Sequence, residues 1–244
     1  MPDEWWTQPF CGFDVESTGV NVEEDRIVSA CFVTITPTPE PPWKVDARNW
    51  LIDPGVPIPD GAARIHGITT ERARAEGRPP AEALYQIRMA LAAAMEAGMP
   101  IVGTNLCYDM TIFDRELCRH GHSEVSLLDC ELGPCVDVYV LDKEVDRFRK
   151  GKRTLDALCR HYHVRLDGAH DAAFDAVAAC RLAWRIVTGS NVLMGMSAWE
   201  LHRAQVGWRR DQQIGLREHF LKTDRKRDAA GIVEAWPIHP RPAG

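Results

Sequence analysis

Apolar and polar positions fall into blocks whose period changes along the chain. Residues 8–14 (Gln8-Pro9-Phe10-Cys11-Gly12-Phe13-Asp14) read as a first strand, and residues 26–36, rich in β-branched and aromatic types, as a second. Pro37, Pro39, Pro41 and Pro42 force a loop or hairpin tip, and Lys44–Asp53 reads as a third strand returning. The chain thus opens as an antiparallel meander. Residues 54–70 are broken by Pro54, Gly55, Pro57, Pro59 and Gly61. From about Pro80 to Gly98 the period becomes helical, with Leu84, Ile87, Leu91 and Met95 on one face. Ile101-Val102-Gly103 reads as a short buried strand and Leu106 to His120 as a helix, while Val136–Leu141 fits either a strand or the start of a helix. Thr154 caps a helix through Tyr162, and a last strong helix covers Ala172 to Thr188, ended by Gly189. Three antiparallel strands followed by alternating helices and short strands predict an α/β fold around one mixed sheet.

Beyond Leu193 the texture changes. Ser197-Ala198-Trp199-Glu200 has the Ser-x-x-Glu form of a capping box and opens a helix to about Lys222, with Leu201, Gln205, Trp208 and Gln212 on a semi-polar face. Residues 232–238 read as an extended strap. The expected organisation is a domain over residues 1–190 and a helical extension with a strap over 191–244, packed on that domain.

Composition narrows the class. At 244 residues, with 45% hydrophobic and 26% charged positions, the chain has ordinary globular values. No apolar run approaches the ~20 residues of a membrane span, and the acidic N-terminus lacks a signal-peptide core, so a cytoplasmic location is expected. The eight cysteines sit mostly in apolar or helical patterns, where a reduced thiol acts as a small hydrophobe. Cys130 and Cys135 have no second Cys or His pair suitably placed for zinc. A net charge of −6 counts against coating nucleic acid by bulk attraction, yet is compatible with metals in an acidic pocket meeting phosphate locally.

Three clusters carry candidate chemistry. In Phe13-Asp14-Val15-Glu16-Ser17-Thr18-Gly19, Asp14 and Glu16 project from the same strand face. Two like charges so close repel unless something positive, usually a divalent cation, sits between them. Asp109 falls about one turn into the helix that follows a buried strand, and Asp114, some 100° further round, is assigned to solvent. His170 precedes the last helix and Asp175 lies in its first turns, a placement suited to a general base titrating near neutrality. Taken singly, these are a solvated strand end, a helix-dipole acid and local caps. Together they supply four carboxylates and one histidine. An all-oxygen set favours Mg2+ or Mn2+ over zinc, and four carboxylates could hold two such ions at the ~4 Å spacing used for in-line phosphoryl displacement.

These motifs, in this order, resemble the DnaQ-like exonucleases, the branch with four acids and a catalytic histidine. The first motif is Phe13 to Gly19, the second Asn105 to Asp109 with Phe113, and the third His170-Asp171-Ala172-Ala173-Phe174-Asp175. Ile65-His66-Gly67-Ile68-Thr69 and Thr154-Leu155-Asp156-Ala157-Leu158-Cys159 also match, so the likeness spans roughly residues 8–188. The resemblance implies an RNase H-like five-stranded mixed sheet flanked by helices and two-metal 3′→5′ hydrolysis releasing nucleoside monophosphates. It makes Asp14, Glu16, Asp109 and Asp175 metal ligands and His170 the base. It sets Ser17, Thr18 and Gly19 under the terminal sugar, Ile65 and His66 beside the terminal nucleotide, Asn105 at the pocket edge, and Phe113 as a stacking residue. Thr104-Asn105 stands where the family often has His-Asn. The partners implied are nucleic-acid 3′ ends, DNA ahead of RNA, and a DNA polymerase; the rival readings are an exoribonuclease and a silent docking module. The stretch Arg147–Arg153 reads either as a backbone contact or as a solvated loop.

Overall fold

The computed structural model describes residues 4–38, 43–122, 132–166 and 172–242. His170, Cys130 and the tip prolines Pro39, Pro41 and Pro42 lie outside the described residues. After a short 3-10 turn at Trp5–Thr7 come strands β1 (Phe10–Ser17), β2 (Ile27–Thr36) and β3 (Lys44–Leu51). Helices α1 (Asp60–His66), α2 (Thr70–Glu76) and α3 (Pro80–Glu96) follow, then β4 (Ile101–Gly103), α4 (Leu106–Arg119), β5 (Cys135–Asp137), α5 (Val138–Val145) and α6 (Leu155–His161). The described chain is completed by α7 (Ala172–Thr188), α8 (Asn191–Met194), α9 (Ala198–Lys222) and α10 (Lys226–Ala230). The sheet order is β3-β2-β1-β4-β5: β1, β2 and β3 form the antiparallel meander, and β4 and β5 add parallel to β1.

β1 runs three residues further than its apolar stretch. Glu16 pairs with Ser29 and Ser17 with Ile27, a bulge placed at the acidic pair, so the ladder carries the charged residues as strand. Segment 54–70 is not only loop. Thr69 accepts a cap bond from the Arg72 amide and starts α2, and α1 ends on Gly67 at φ 72°. Val136–Leu141 resolves into both alternatives, because Asp137 ends β5 and caps α5 through the Tyr139 amide.

Helices cover both sheet faces. On one, α3 and α4 pack on Phe13, Val15, Ala30 and Phe32; on the other, α7 packs on Phe10, Cys31, Val33 and Ile35. α7 sits unusually close to β1. A Cβ on Gly12 would lie 2.7 Å from Cys180 Sγ and 2.8 Å from the Ala176 carbonyl, and Ala176, Ala179 and Ala183 line that seam.

α9 seals the β5 edge with side chains. Gln205 accepts from the Asp137 amide at 2.8 Å and donates to the Cys135 carbonyl at 3.0 Å, while His202 Nδ1 accepts from the Cys135 amide at 3.0 Å. The segment after α10 then runs along α4, with the His239 amide on Thr111 and Arg115 on the His239 and Pro240 carbonyls. This covering overturns the assignment of Asp114 to solvent. Asp114 is fully buried and accepts both arms of Arg241 at 3.0 and 3.1 Å. The basic stretch is likewise partly internal, because Arg149 and Arg153 both reach the buried Asp142. The seven cysteines among the described residues are all free, and no helix among those residues is long and apolar enough to cross a membrane.

Candidate active site

Three carboxylates converge where β1 ends. Asp14 and Glu16 face α7, and the close seam at Gly12 brings Asp175, in that helix's first turn, beside them. One oxygen from each of the three lies within 4.8 Å of the others, and all three side chains are partly exposed. A cation relieves the repulsion of like charges at that spacing, and three hard oxygen donors suit Mg2+ or Mn2+. The donor set therefore fits a divalent ion.

Asp109 is held apart from this trio, on α4 across the sheet. Its Oδ1 accepts from the Val15 amide, between the two β1 acids, at 3.2 Å. Burial raises its pKa well above the ordinary carboxylate range; the Val15 bond opposes that, and the nearby Asp137 and Glu16 charges add to it. Asp137 is buried and raised in the same direction by desolvation, with Arg209 opposing. It anchors the β4–α4 turn by accepting from the amide of Asn105, which sits in the left-handed region at φ 61°. The exposed Asn105 side chain stands at that turn.

The turn after Glu16 is built from inside. Ser17 Oγ, Tyr108 Oη and the Gly19 carbonyl form a triangle with edges of 2.6, 2.6 and 2.7 Å. Burial pushes the Tyr108 phenol up to about 12. Thr18 is buried, donates to Asp25 at 2.7 Å and accepts from the Arg26 amide. Its hydroxyl supports the turn and does not reach outward to a sugar. Gly19 leaves space for the Asp25 carboxylate, which a Cβ would meet at 2.5 Å.

A cleft of about 470 Å3 opens beside Glu16, lined also by Asn49, His66, Ile68, Arg72 and Phe174. His66 Nδ1 accepts from the Ile68 amide at 3.2 Å, and the ring lies near the Ser17 backbone. Burial lowers the His66 pKa, which keeps the ring neutral around pH 7. Ile65 is 57% exposed. Phe113, expected to stack on a base, is instead fully buried and packs edge-on against Phe13 at 5.9 Å. It shares a helix face with Asp109, but that face is turned to the core. Phe174, 45% exposed at the cleft wall, is the aromatic available there. Sequence reasoning passed over Phe174, Tyr108 and Asp137. The first two stand next to motif acids, and Asp137 betrays itself only as a polar residue ending an apolar run.

The comparisons with known proteins agree with this arrangement. The RNase T model, described as an exonuclease, matches residues 11–183. The DNA polymerase III PolC-type protein of Lacticaseibacillus paracasei is 24% identical over 195 residues, 80% of this chain and 12% of that protein. Its counterpart in Listeria innocua is 26% identical over 179 residues, 73% of this chain and 11% of that protein. Among solved structures, exonuclease I superposes with a TM-score of 0.63 at 19% identity, covering 77% of this chain and 42% of that one. E. coli exonuclease I in complex with a dT13 oligonucleotide gives 0.57 at 21% identity, covering 74% and 41%. This chain therefore spans less than half of exonuclease I and only about an eighth of the PolC-type proteins. With most of its length matched by the family model and its acids gathered at the end of β1, the chain belongs to the RNase T exonuclease family.

Proposed function

We propose that this protein hydrolyses phosphodiester bonds at the 3′ end of DNA, single-stranded or frayed, releasing nucleoside 5′-monophosphates. The observation that carries this reading is the convergence of Asp14, Glu16 and Asp175 within 4.8 Å beside an open cleft. In the proposal Asp14, Glu16 and Asp175 hold two divalent cations, Mg2+ or Mn2+, with Asp109 as a fourth acid. Such ions supply Lewis-acid polarisation of the phosphate and neutralise charge on the leaving oxygen. The chain's own groups position the end. His66 and Phe174 flank the terminal nucleotide in the cleft, and the turn at Ser17–Gly19, braced by Tyr108, forms its floor. His170, two residues before the cleft-lining Ala172 in sequence, is the proposed general base. DNA is favoured over RNA because one neighbour of similar fold was solved with dT13 and the curated relatives are DNA polymerases.

The test is digestion of matched 5′-labelled DNA and RNA oligomers with Mg2+, Mn2+ or EDTA. Expected is stepwise shortening of DNA from the 3′ end, abolished by EDTA. Asp14→Asn removes several kcal/mol of transition-state stabilisation, a loss of about 10^3-fold or more in rate. Faster loss of RNA would replace the DNA assignment, and wild-type activity in Asp14→Asn would sink the site.

A further inference from the structure

A second cavity, of about 570 Å3, lies between α7 and the β3 edge, on the same sheet face as the acids. Its walls carry Trp43 and Trp184, whose rings meet edge-on at 5.3 Å, together with Arg165, Arg181, Arg185 and His163. The chain as a whole carries a net charge of −6. Arg165 and Arg185 are exposed, and Trp43 and Trp184 partly so. A basic, aromatic trough on an acidic protein calls for an anionic ligand with flat apolar faces.

The two cavities lie in line. Ala173 lines the cleft at the acids, and Val177, Arg181 and Trp184, four, eight and eleven residues on, follow the same flank of α7 into the second cavity. On the opposite wall, Asn49 and Leu51 of β3 line the first cavity and Val45 the second, and alternation puts all three on one sheet face. The offset from Ala173 to Arg181 is about 12 Å along the helix, and that from Asn49 to Val45 is about 13 Å along the strand. Both walls give the same displacement, so the second cavity lies along a line leading away from the acids, and the two are read as one trough. Between the cavities β3 presents only the small Ala47 on this face.

We infer that this trough carries the single strand immediately 5′ of the terminal nucleotide. Bases stack on Trp43 and Trp184, and phosphates meet Arg165, Arg181 and Arg185. Aromatic platforms beside a cationic track hold single strands with little regard to sequence. This inference rests on the proposed nuclease function, since the occupant is the strand whose 3′ end sits at the acids. It predicts a substrate-length preference, because a dinucleotide fills the cleft alone and a longer strand reaches the trough.

The experiment uses the full chain and the double variant Arg165→Glu/Arg185→Glu, both exposed positions, with Arg165→Lys/Arg185→Lys as the conservative control. Hydrolysis of a dinucleotide and of a long oligothymidylate is followed with Mg2+. Binding of the fluorescein-labelled oligothymidylate is read separately by anisotropy in EDTA, across a salt series. Expected for the Glu pair is about a tenfold or larger rise in KM and Kd for the long strand, with kcat and dinucleotide hydrolysis unchanged. The slope of log affinity on log salt becomes shallower by about 1.4 for two lost phosphate contacts. The Lys pair retains near wild-type values. Unchanged long-strand binding and salt slope in the Glu pair would overturn the inference, even with nuclease activity intact. Absence of hydrolysis by the wild type on both substrates would instead strike the proposed function, and the anisotropy would still decide the trough.

Discussion

The two edges of the sheet are finished in opposite ways. At β5, α9 lays its polar side chains against the strand, and Gln205 and His202 take up backbone groups that a further strand would have paired. At β3, six of the eight residues are exposed, and the edge faces solvent beside the trough. An uncovered strand edge is ordinarily a hazard, blunted here by Lys44, Asp46 and Arg48. The difference separates stability from access. The β5 edge is closed by groups that cannot be removed without stranding buried backbone, while the β3 edge stays exposed beside the cavity on α7.

The largest effect expected from this contrast is at Gln205. Leu there fills the space but leaves the Cys135 carbonyl and the Asp137 amide buried and unpaired. At about 1–3 kcal/mol for each of the two groups, Gln205→Leu destabilises by about 2–6 kcal/mol. Urea denaturation measures it, and a change under about 0.5 kcal/mol would mean that α9 does not close the edge through this side chain.

His202 makes the same edge pH-sensitive. Burial pulls its pKa from 6.5 down to about 4, helped by the Arg203 charge, since Nδ1 must stay unprotonated to accept from Cys135. The folded state therefore binds fewer protons than the unfolded one. Stability is intact above about pH 6.5 and drains as the pH falls towards 4. At 1.36 kcal/mol per unit the loss is on the order of 3 kcal/mol. His202→Gln retains an acceptor that does not titrate. Melting temperatures of the two proteins across pH 4 to 7 should converge at neutrality and separate in acid, with the wild type lower. Parallel curves would remove His202 as the cause.

What could be read without coordinates follows the same division. The meander, α3, α4 and α7 announce themselves because burial on one face writes a period into the chain, and the capping box at Ser197 fixed the start of α9. The three acids that converge were identifiable because strand alternation and the first turn of α7 are local rules. Phe113 was misplaced because its helix face is turned to the core, against Phe13, and Asp114 for a non-local reason. α4 is covered on its outer side by the segment carrying His239 and Arg241, more than a hundred residues away, so neither a helix face nor a charge reported its exposure. The short helices α1, α2 and α10 escaped because five to seven residues are too few to show a period, whereas the equally short α6 was announced by Thr154 and its inward Leu155, Leu158 and Cys159. Gln205 is the instructive case. It belongs to the semi-polar face of α9, and it is the residue that finishes the sheet.

The smallest effect is expected at the open edge. Asp46 is exposed on β3 and pairs with Thr34 across the ladder, so its side chain buries little surface. Asp46→Ala should therefore change stability by no more than about 0.5 kcal/mol, the scale of a strand-propensity adjustment. Combined with Gln205→Leu it should add within about 0.5 kcal/mol, because four strand spacings, about 19 Å, separate the two edges. Urea titrations of the single and double variants measure both quantities. A loss above about 1.5 kcal/mol in Asp46→Ala alone, or strong coupling in the pair, would show that the β3 edge is covered and load-carrying like its opposite, and the division between a closed edge and an open one would fail.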